Sequence, residues 1–180
     1  GFTSEVQKRS RIMRKTMMGL AVALSLGAIV ASQATAATPV LTSSQQAQLK
    51  YLVEEEKLAR DVYTYLQTAT GLNKFRNIAR SEQVHMNLVS GILQTYGITN
   101  PTTGAKAGVF TDSNLAALYK KLIASGSVDY AGAMAAGVAI EKLDIADLKT
   151  DIKAETAPDV LSVLNTLLRG SENHLAAFSR

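Results

Sequence analysis

From Gln45 onward, apolar residues recur at alternating spacings of three and four, the period of helices that pack along one seam. Four long helices follow from this pattern. The first is predicted over residues 45–68, with the seam Leu49, Leu52, Glu56, Ala59, Tyr63 and Leu66; Ser43 and Ser44 are N-cap candidates and Gly71 a stop. The second covers about 74–96 with the seam Phe75, Ile78, Glu82, His85, Val89, Ile92 and Tyr96, and Gly97 ends it. The third covers about 128–154 with the seam Met134, Gly137, Glu141, Asp144 and Leu148. The fourth covers about 158–178 with the seam Val160, Leu164, Leu167, Ser171, His174 and Phe178; Thr156 is its cap candidate and Pro158 suits its first turn.

A loop over 98–110, rich in Thr, Gly and Asn, separates the second and third helices. A short helix over 114–124 follows it, capped by Thr111, Asp112 or Ser113. No stretch alternates with period two for long enough to make a strand. The fold class expected is all-α: a four-helix bundle over 45–180, after a polar linker at 37–44. One long crossover containing a short extra helix is the ferritin-like topology rather than the up-down bundle with short loops.

The seams should be apolar, yet each helix carries polar groups near its middle: Glu56; Glu82 and His85; Glu141 and Asp144; Ser171 and His174. Burying an unpaired charge costs several kcal/mol even after relaxation, roughly. No Lys or Arg shares these seams, and both histidines of the chain lie in them. Two divalent ions would balance Glu56, Glu82, Glu141 and Asp144, with His85 and His174 as neutral nitrogen ligands. Glu82 with His85, and Glu141 with Asp144, have the i, i+3 spacing that puts both side chains on one helix face. Oxygen-rich ligation with a few imidazoles favours iron or manganese and admits zinc. A hydrogen-bonded polar network without metal is the competing expectation. Tyr63, two turns from Glu56, is a candidate to contact the ligands or simply to pack in the core.

Composition narrows the chemistry. Cys is absent, which excludes disulfides, thiolate zinc sites, iron–sulfur clusters and thiol nucleophiles. Trp is absent and aromatics are 6%, so no stacking platform for nucleic acid is expected. Lys8, Arg9, Arg11, Arg14 and Lys15 against Glu5 account for the whole formal charge of +4; the rest of the chain is balanced and has no electrostatic bias towards nucleic acid or acidic lipid. Arg14 and Lys15 precede an uncharged run from Gly19 to Ser32, and Ala34-Thr35-Ala36 closes it with a small–x–small pattern. This is the design of a secretory signal peptide over residues 1–36, with Met13 as the expected start and residues 1–12 upstream of it. The run is shorter than the roughly 20 residues of a spanning helix, so no stable membrane anchor is expected after cleavage. The mature protein is expected to be exported, periplasmic or secreted.

The segments Leu49 to Tyr63, Ile78 to Met86, Ala139 to Ile145 and Gly170 to Phe178 resemble, in order, the ferritin-like family catalogued as domain of unknown function 2202. The resemblance covers about residues 48–178 and implies a ferritin-like bundle without an established activity. A more distant resemblance is to rubrerythrin-type di-iron proteins. It implies ligand roles for Glu56 before Ala59-Arg60, for Glu82 and His85, for Glu141 and Asp144, and for His174. The fourth helix departs from that pattern: Ser171 stands where a carboxylate is expected, and Glu172 is about 100° around the helix. Together these readings lead to an expected di-metal oxidoreductase acting on peroxide or oxygen. A non-catalytic metal store and a structural bundle without metal are the alternatives.

Overall fold

The structure, a computed structural model, describes residues 40–180. The expected signal peptide lies outside the described residues. Among those residues the chain is all helical: α1 (Ser43–Thr70), α2 (Asn73–Thr95), α3 (Ser113–Gly126), α4 (Tyr130–Ala154) and α5 (Pro158–Phe178). None of these helices is long and apolar enough to cross a membrane.

The ends of the helices follow local chemistry. Thr42, not Ser43 or Ser44, caps α1, and its hydroxyl and the Gln45 side chain form a capping box. The cap therefore lies one residue before the expected pair, because the Thr-x-x-Gln spacing satisfies two orphan N–H groups at once. Gly71 ends the helix in the left-handed region at φ 71°. Tyr96, expected on the seam of α2, lies past its last turn and is only half-buried. Asp112 caps α3 by accepting from the backbone N–H groups of Asn114 and Leu115. Asp129 caps α4 from outside its first residue, so Val128 stays out of the helix. Thr156 does not cap α5. Ala157 holds the cap position, and the Glu155 carboxylate instead accepts from the N–H groups of Thr156 and Ala157.

The four long helices form a square in which α1 neighbours α2 and α4, and α5 neighbours α4 and α2. Two apolar clusters fill its ends. One contains Leu58, Tyr63, Leu66, Phe75, Ile78, Met134, Ile140 and Phe178. The other contains Leu49, Leu52, Val89, Leu93, Leu148, Val160, Leu164 and Leu167. The order in which each helix meets these clusters gives its direction: α1 and α5 run one way, α2 and α4 the other. Every long helix is therefore antiparallel to both neighbours. The chain from the end of α2 to the start of α4 must travel the length of the bundle, and α3 packs on α1 and α4 along that path.

The crossover is held on the outer face of α1 by charge. The Glu54 carboxylate accepts from the backbone N–H groups of Thr111 and Asp112. Lys57, 1% exposed, donates to Asp61 Oδ2 at 2.6 Å and to the Lys106 carbonyl at 2.8 Å, and lies 4.4 Å from the centre of the Phe110 ring. Asp61 Oδ2 also accepts from Gly108 N at 3.0 Å, and Asp61 Oδ1 from Arg60 at 2.7 Å. Lys57 and Asp61 are thus buried as a pair with their remaining valences used, the condition under which an internal ion pair is tolerated. Glu54→Gln should cost about 1 kcal/mol in chemical denaturation, because an amide offers only one acceptor oxygen to two backbone donors.

Candidate metal centre

Between the two apolar clusters lies a polar layer to which every long helix contributes. The layer sits where the seams of α1, α2, α4 and α5 pass from one cluster to the other. Glu56, Glu82, His85, Glu141, Asp144, Ser171 and His174 are all buried there. Glu82 occupies the middle. His85 Nδ1 is 2.8 Å from Glu82 Oε2, and His174 Nδ1 is 2.8 Å from Glu82 Oε1. His85 Nδ1 also lies 3.2 Å from Glu56 Oε2, and His174 Nδ1 3.6 Å from Glu141 Oε1. The two imidazoles stack, with centroids 5.5 Å apart. Two triads result, Glu56–Glu82–His85 and Glu82–Glu141–His174, each with ligand atoms close enough to hold one metal ion. Glu82 belongs to both, with one oxygen near each histidine.

Asp144 stands outside these two triads but within the same field. Its Oδ1 is buried without a hydrogen-bond partner, as are Glu56 Oε1, Glu82 Oε1 and His174 Nδ1. Glu82 Oε1 and His174 Nδ1 lie 2.8 Å apart as an ion pair. Buried polar atoms are normally paired, and leaving one unpaired costs roughly 1–3 kcal/mol. Glu56 Oε1 and Asp144 Oδ1 thus lack a partner while Glu82 Oε1 and His174 Nδ1 have only each other, and the set, all oxygen or imidazole nitrogen, fits a cation. The donor set suits a divalent metal.

The charge distribution agrees. Burial, with Asp144 and Glu82 nearby, pushes Glu56 well above the ordinary carboxylate range. Burial likewise raises Glu141 to about 8, with Glu82 adding to the shift and His174 and Tyr63 opposing it. Asp144 rises to about 7 through burial and the charge on Glu82. Burial works against ionised Glu82 too, but His174 and His85 hold it down at about 2. His174 is raised to about 10, since Glu141 and Glu82 outweigh the burial that disfavours its charge. Without metal, Glu56 and Glu141 therefore hold protons at neutral pH while Glu82 stays ionised between the histidines. A bound cation would take the place of those protons.

Neighbouring groups fix the orientation of these side chains. Tyr63, fully buried, donates its hydroxyl to Glu141 Oε1 at 2.6 Å. Its ring packs against Phe178 and Phe75 at 5.1 and 5.9 Å and closes one side of the layer. Ser81 Oγ lies 2.9 Å from His174 Nε2, which leaves Nδ1 to face the carboxylates. Ser171 donates to the Leu167 carbonyl at 3.0 Å on its own helix, and Glu172 points outward to Lys149 at 3.4 Å.

Three residues that the seam pattern does not single out border the layer without being among its ligand atoms. Ser81 precedes the Glu-x-x-His pair without sharing its face. Glu55, beside Glu56, is buried with Oε1 unpartnered, and burial with Asp144 and Asp147 close by raises it to about 10. At Gly170 any Cβ would run into Nε2 and Cε1 of His85, so this glycine provides the room for that ring. Gly170→Ala should leave the fold intact, since alanine is the better helix former by about 1 kcal/mol. The displaced His85 should weaken metal binding about 10-fold, a loss that calorimetric titration with zinc would measure.

The chain is 44% identical over 127 residues to Uncharacterized protein MJ0754 of Methanocaldococcus jannaschii, covering 71% of this chain and 69% of that one. The crystal structure of hypothetical protein MJ0754 from Methanococcus jannaschii matches with a TM-score of 0.75 at 40% identity, over 77% of this chain and 79% of the other. Residues 45–180 match the family described as Uncharacterized protein domain (DUF2202), and the chain belongs to that family.

Proposed function

We propose that this DUF2202 protein is an exported, ferritin-like di-metal carboxylate protein that carries out redox chemistry on peroxide or dioxygen. The observation that supports it most is the position of Glu82, whose two carboxylate oxygens each lie 2.8 Å from a different histidine. A carboxylate shared in this way suits a pair of ions, held by Glu56 and His85 on one side and by Glu141 and His174 on the other, with Asp144 within reach. Iron or manganese fits the oxygen-rich set best, with zinc as the non-redox substitute. Such ions, when bound, supply one-electron redox and Lewis-acid chemistry.

The chain's own part is to hold and shield. Tyr63 keeps the Glu141 carboxylate aligned through its hydroxyl, and Ser81 keeps the His174 ring turned towards the layer. The apolar clusters on both sides exclude water. Glu56, Glu141 and Asp144 give up protons as cations arrive. The length of the crossover and the antiparallel square support the ferritin-like assignment. Ser171 in place of a fourth-helix carboxylate favours a second reading, a metal store without turnover, because one side has fewer anionic ligands.

The test is to load metal-free protein with ferrous iron under anaerobic conditions and add hydrogen peroxide or dioxygen. Catalytic consumption of the oxidant with a supplied reductant supports the oxidoreductase. Stoichiometric iron uptake without turnover supports storage, and absence of bound iron contradicts both. For export, mass spectrometry of the periplasmic or secreted protein should find an N-terminus at or near Ala37.

A further inference from the structure

On the side of the bundle formed by α1 and α4, a groove of about 390 Å³ opens to the surface, lined by Gln48, Tyr51, Asp147 and Asp151 together with Ala47 and Thr150. No Lys or Arg lines it. On α1, Gln48, Tyr51 and Glu55 succeed one another at spacings of three and four; on α4, Asp151, Asp147 and Asp144 do the same in the opposite direction. Because the two helices are antiparallel neighbours, these are facing stripes that lead inward from the groove. Burial increases along them: Gln48, Tyr51, Asp147 and Asp151 are half-buried, while Glu55 is 4% and Asp144 7% exposed. At the inner end, Glu55 Oε1 and Asp144 Oδ1 are both buried without a hydrogen-bond partner.

Among the described residues Glu55 caps no helix and forms no ion pair; the groups around it are acidic, Asp144, Asp147 and Asp151, with Asp147 within hydrogen-bond reach. Carboxyl groups gathered in this way offer a hard cation a set of oxygen ligands. Among the described residues, the tight ligand triads are the two in the central layer, and Glu55 belongs to neither. The groove that leads to it is open at Asp147 and Asp151 and suits a cation that keeps part of its water shell.

We infer that the groove and Glu55 form a loading path for divalent cations, in which Asp151 and Asp147 capture a hydrated ion and Glu55 passes it to Asp144 and Glu56. This inference rests on the metal-centre reading above. Its substrate is the incoming ion, and its residues govern the rate of filling rather than the final occupancy.

The experiment follows the filling of metal-free full-length protein by cobalt(II) in a stopped-flow spectrometer, through the visible absorption of the bound ion. Wild-type protein is compared with Glu55→Gln and with the double variant Asp147→Asn/Asp151→Asn, whose positions are half-buried and tolerate the change. The expected result is filling at least ten-fold slower in both variants, with the same final cobalt content as wild type. Wild-type rates in both variants would overturn the path while leaving the metal centre standing. A lower final content in Glu55→Gln would make Glu55 a permanent ligand and also overturn the path. Failure of the wild type to bind cobalt would instead remove the metal centre on which the inference depends.

Discussion

Glu82→Gln is expected to abolish metal binding in both halves of the central layer, whereas Glu141→Gln should empty one half only. The difference follows from geometry. Glu82 faces both His85 and His174, while Glu141 lies near His174 alone. An amide keeps the shape of the side chain but removes the negative charge and one of the two acceptor oxygens. Loss of a mere outer partner of a metal ligand weakens binding about 10–100-fold, and loss of a shared ligand should exceed that for each ion. Equilibrium dialysis against manganese or zinc should give two ions per chain for wild type, one for Glu141→Gln and none for Glu82→Gln. Two ions in Glu82→Gln would refute the shared role. The double variant Glu82→Gln/His85→Leu should in addition melt at the same temperature with and without chelator.

The metal-free protein should lose stability as pH rises, which is the reverse of the usual behaviour of a carboxylate-rich protein. Groups with raised native pKa bind more protons folded than unfolded, so folding is favoured at low pH and the advantage fades as pH climbs through the native value. Glu141 acts in this sense between about 4.5 and about 8. Asp144 does so between 3.8 and about 7, and His174 between 6.5 and about 10. Glu82 has the opposite sign, being lowered to about 2. Its contribution is complete above the ordinary carboxylate value and is lost only as pH falls towards 2, so it does not alter the trend near neutrality. Between pH 5.5 and 8 the metal-free protein should therefore weaken by on the order of 2–4 kcal/mol. With ions bound, these ligands are already deprotonated, so the curve should be nearly flat and the gap between the two forms should widen with pH. Urea titrations of both forms at several pH values would show it. Metal-free protein that gains stability over this range would contradict the charge arrangement described.

The seams carried most of the readable information. All six seam residues of α5 are its buried residues, and the polar positions in the four seams fall into one layer. What the seams could not reveal was the second face of α1. A heptad pattern describes one buried stripe, but α1 is covered on both sides, by the bundle and by the crossover. Glu54, Lys57 and Asp61 are consequently buried, although charged residues off a seam ordinarily face water. Lys57 and Asp61 at i, i+4 held the only local hint, since that spacing allows a pair, but most such pairs lie at the surface. Gly170 was illegible for a different reason: its role depends on a ring from α2, and no local pattern reports a close approach between helices. The caps erred where two acceptors competed within a residue or two, as at Thr42 and Ser43, and the better-spaced partner decided.

Two metal ions held by the buried acidic and imidazole layer would show in the metal-to-protein ratio, by elemental mass spectrometry, of the mature protein purified without chelator from the compartment in which it resides. Close to two iron or manganese ions per chain are expected, removed only under conditions that also protonate or unfold the site. A protein that arrives folded with no stoichiometric metal, and that takes up none when offered iron, manganese or zinc, would contradict that expectation.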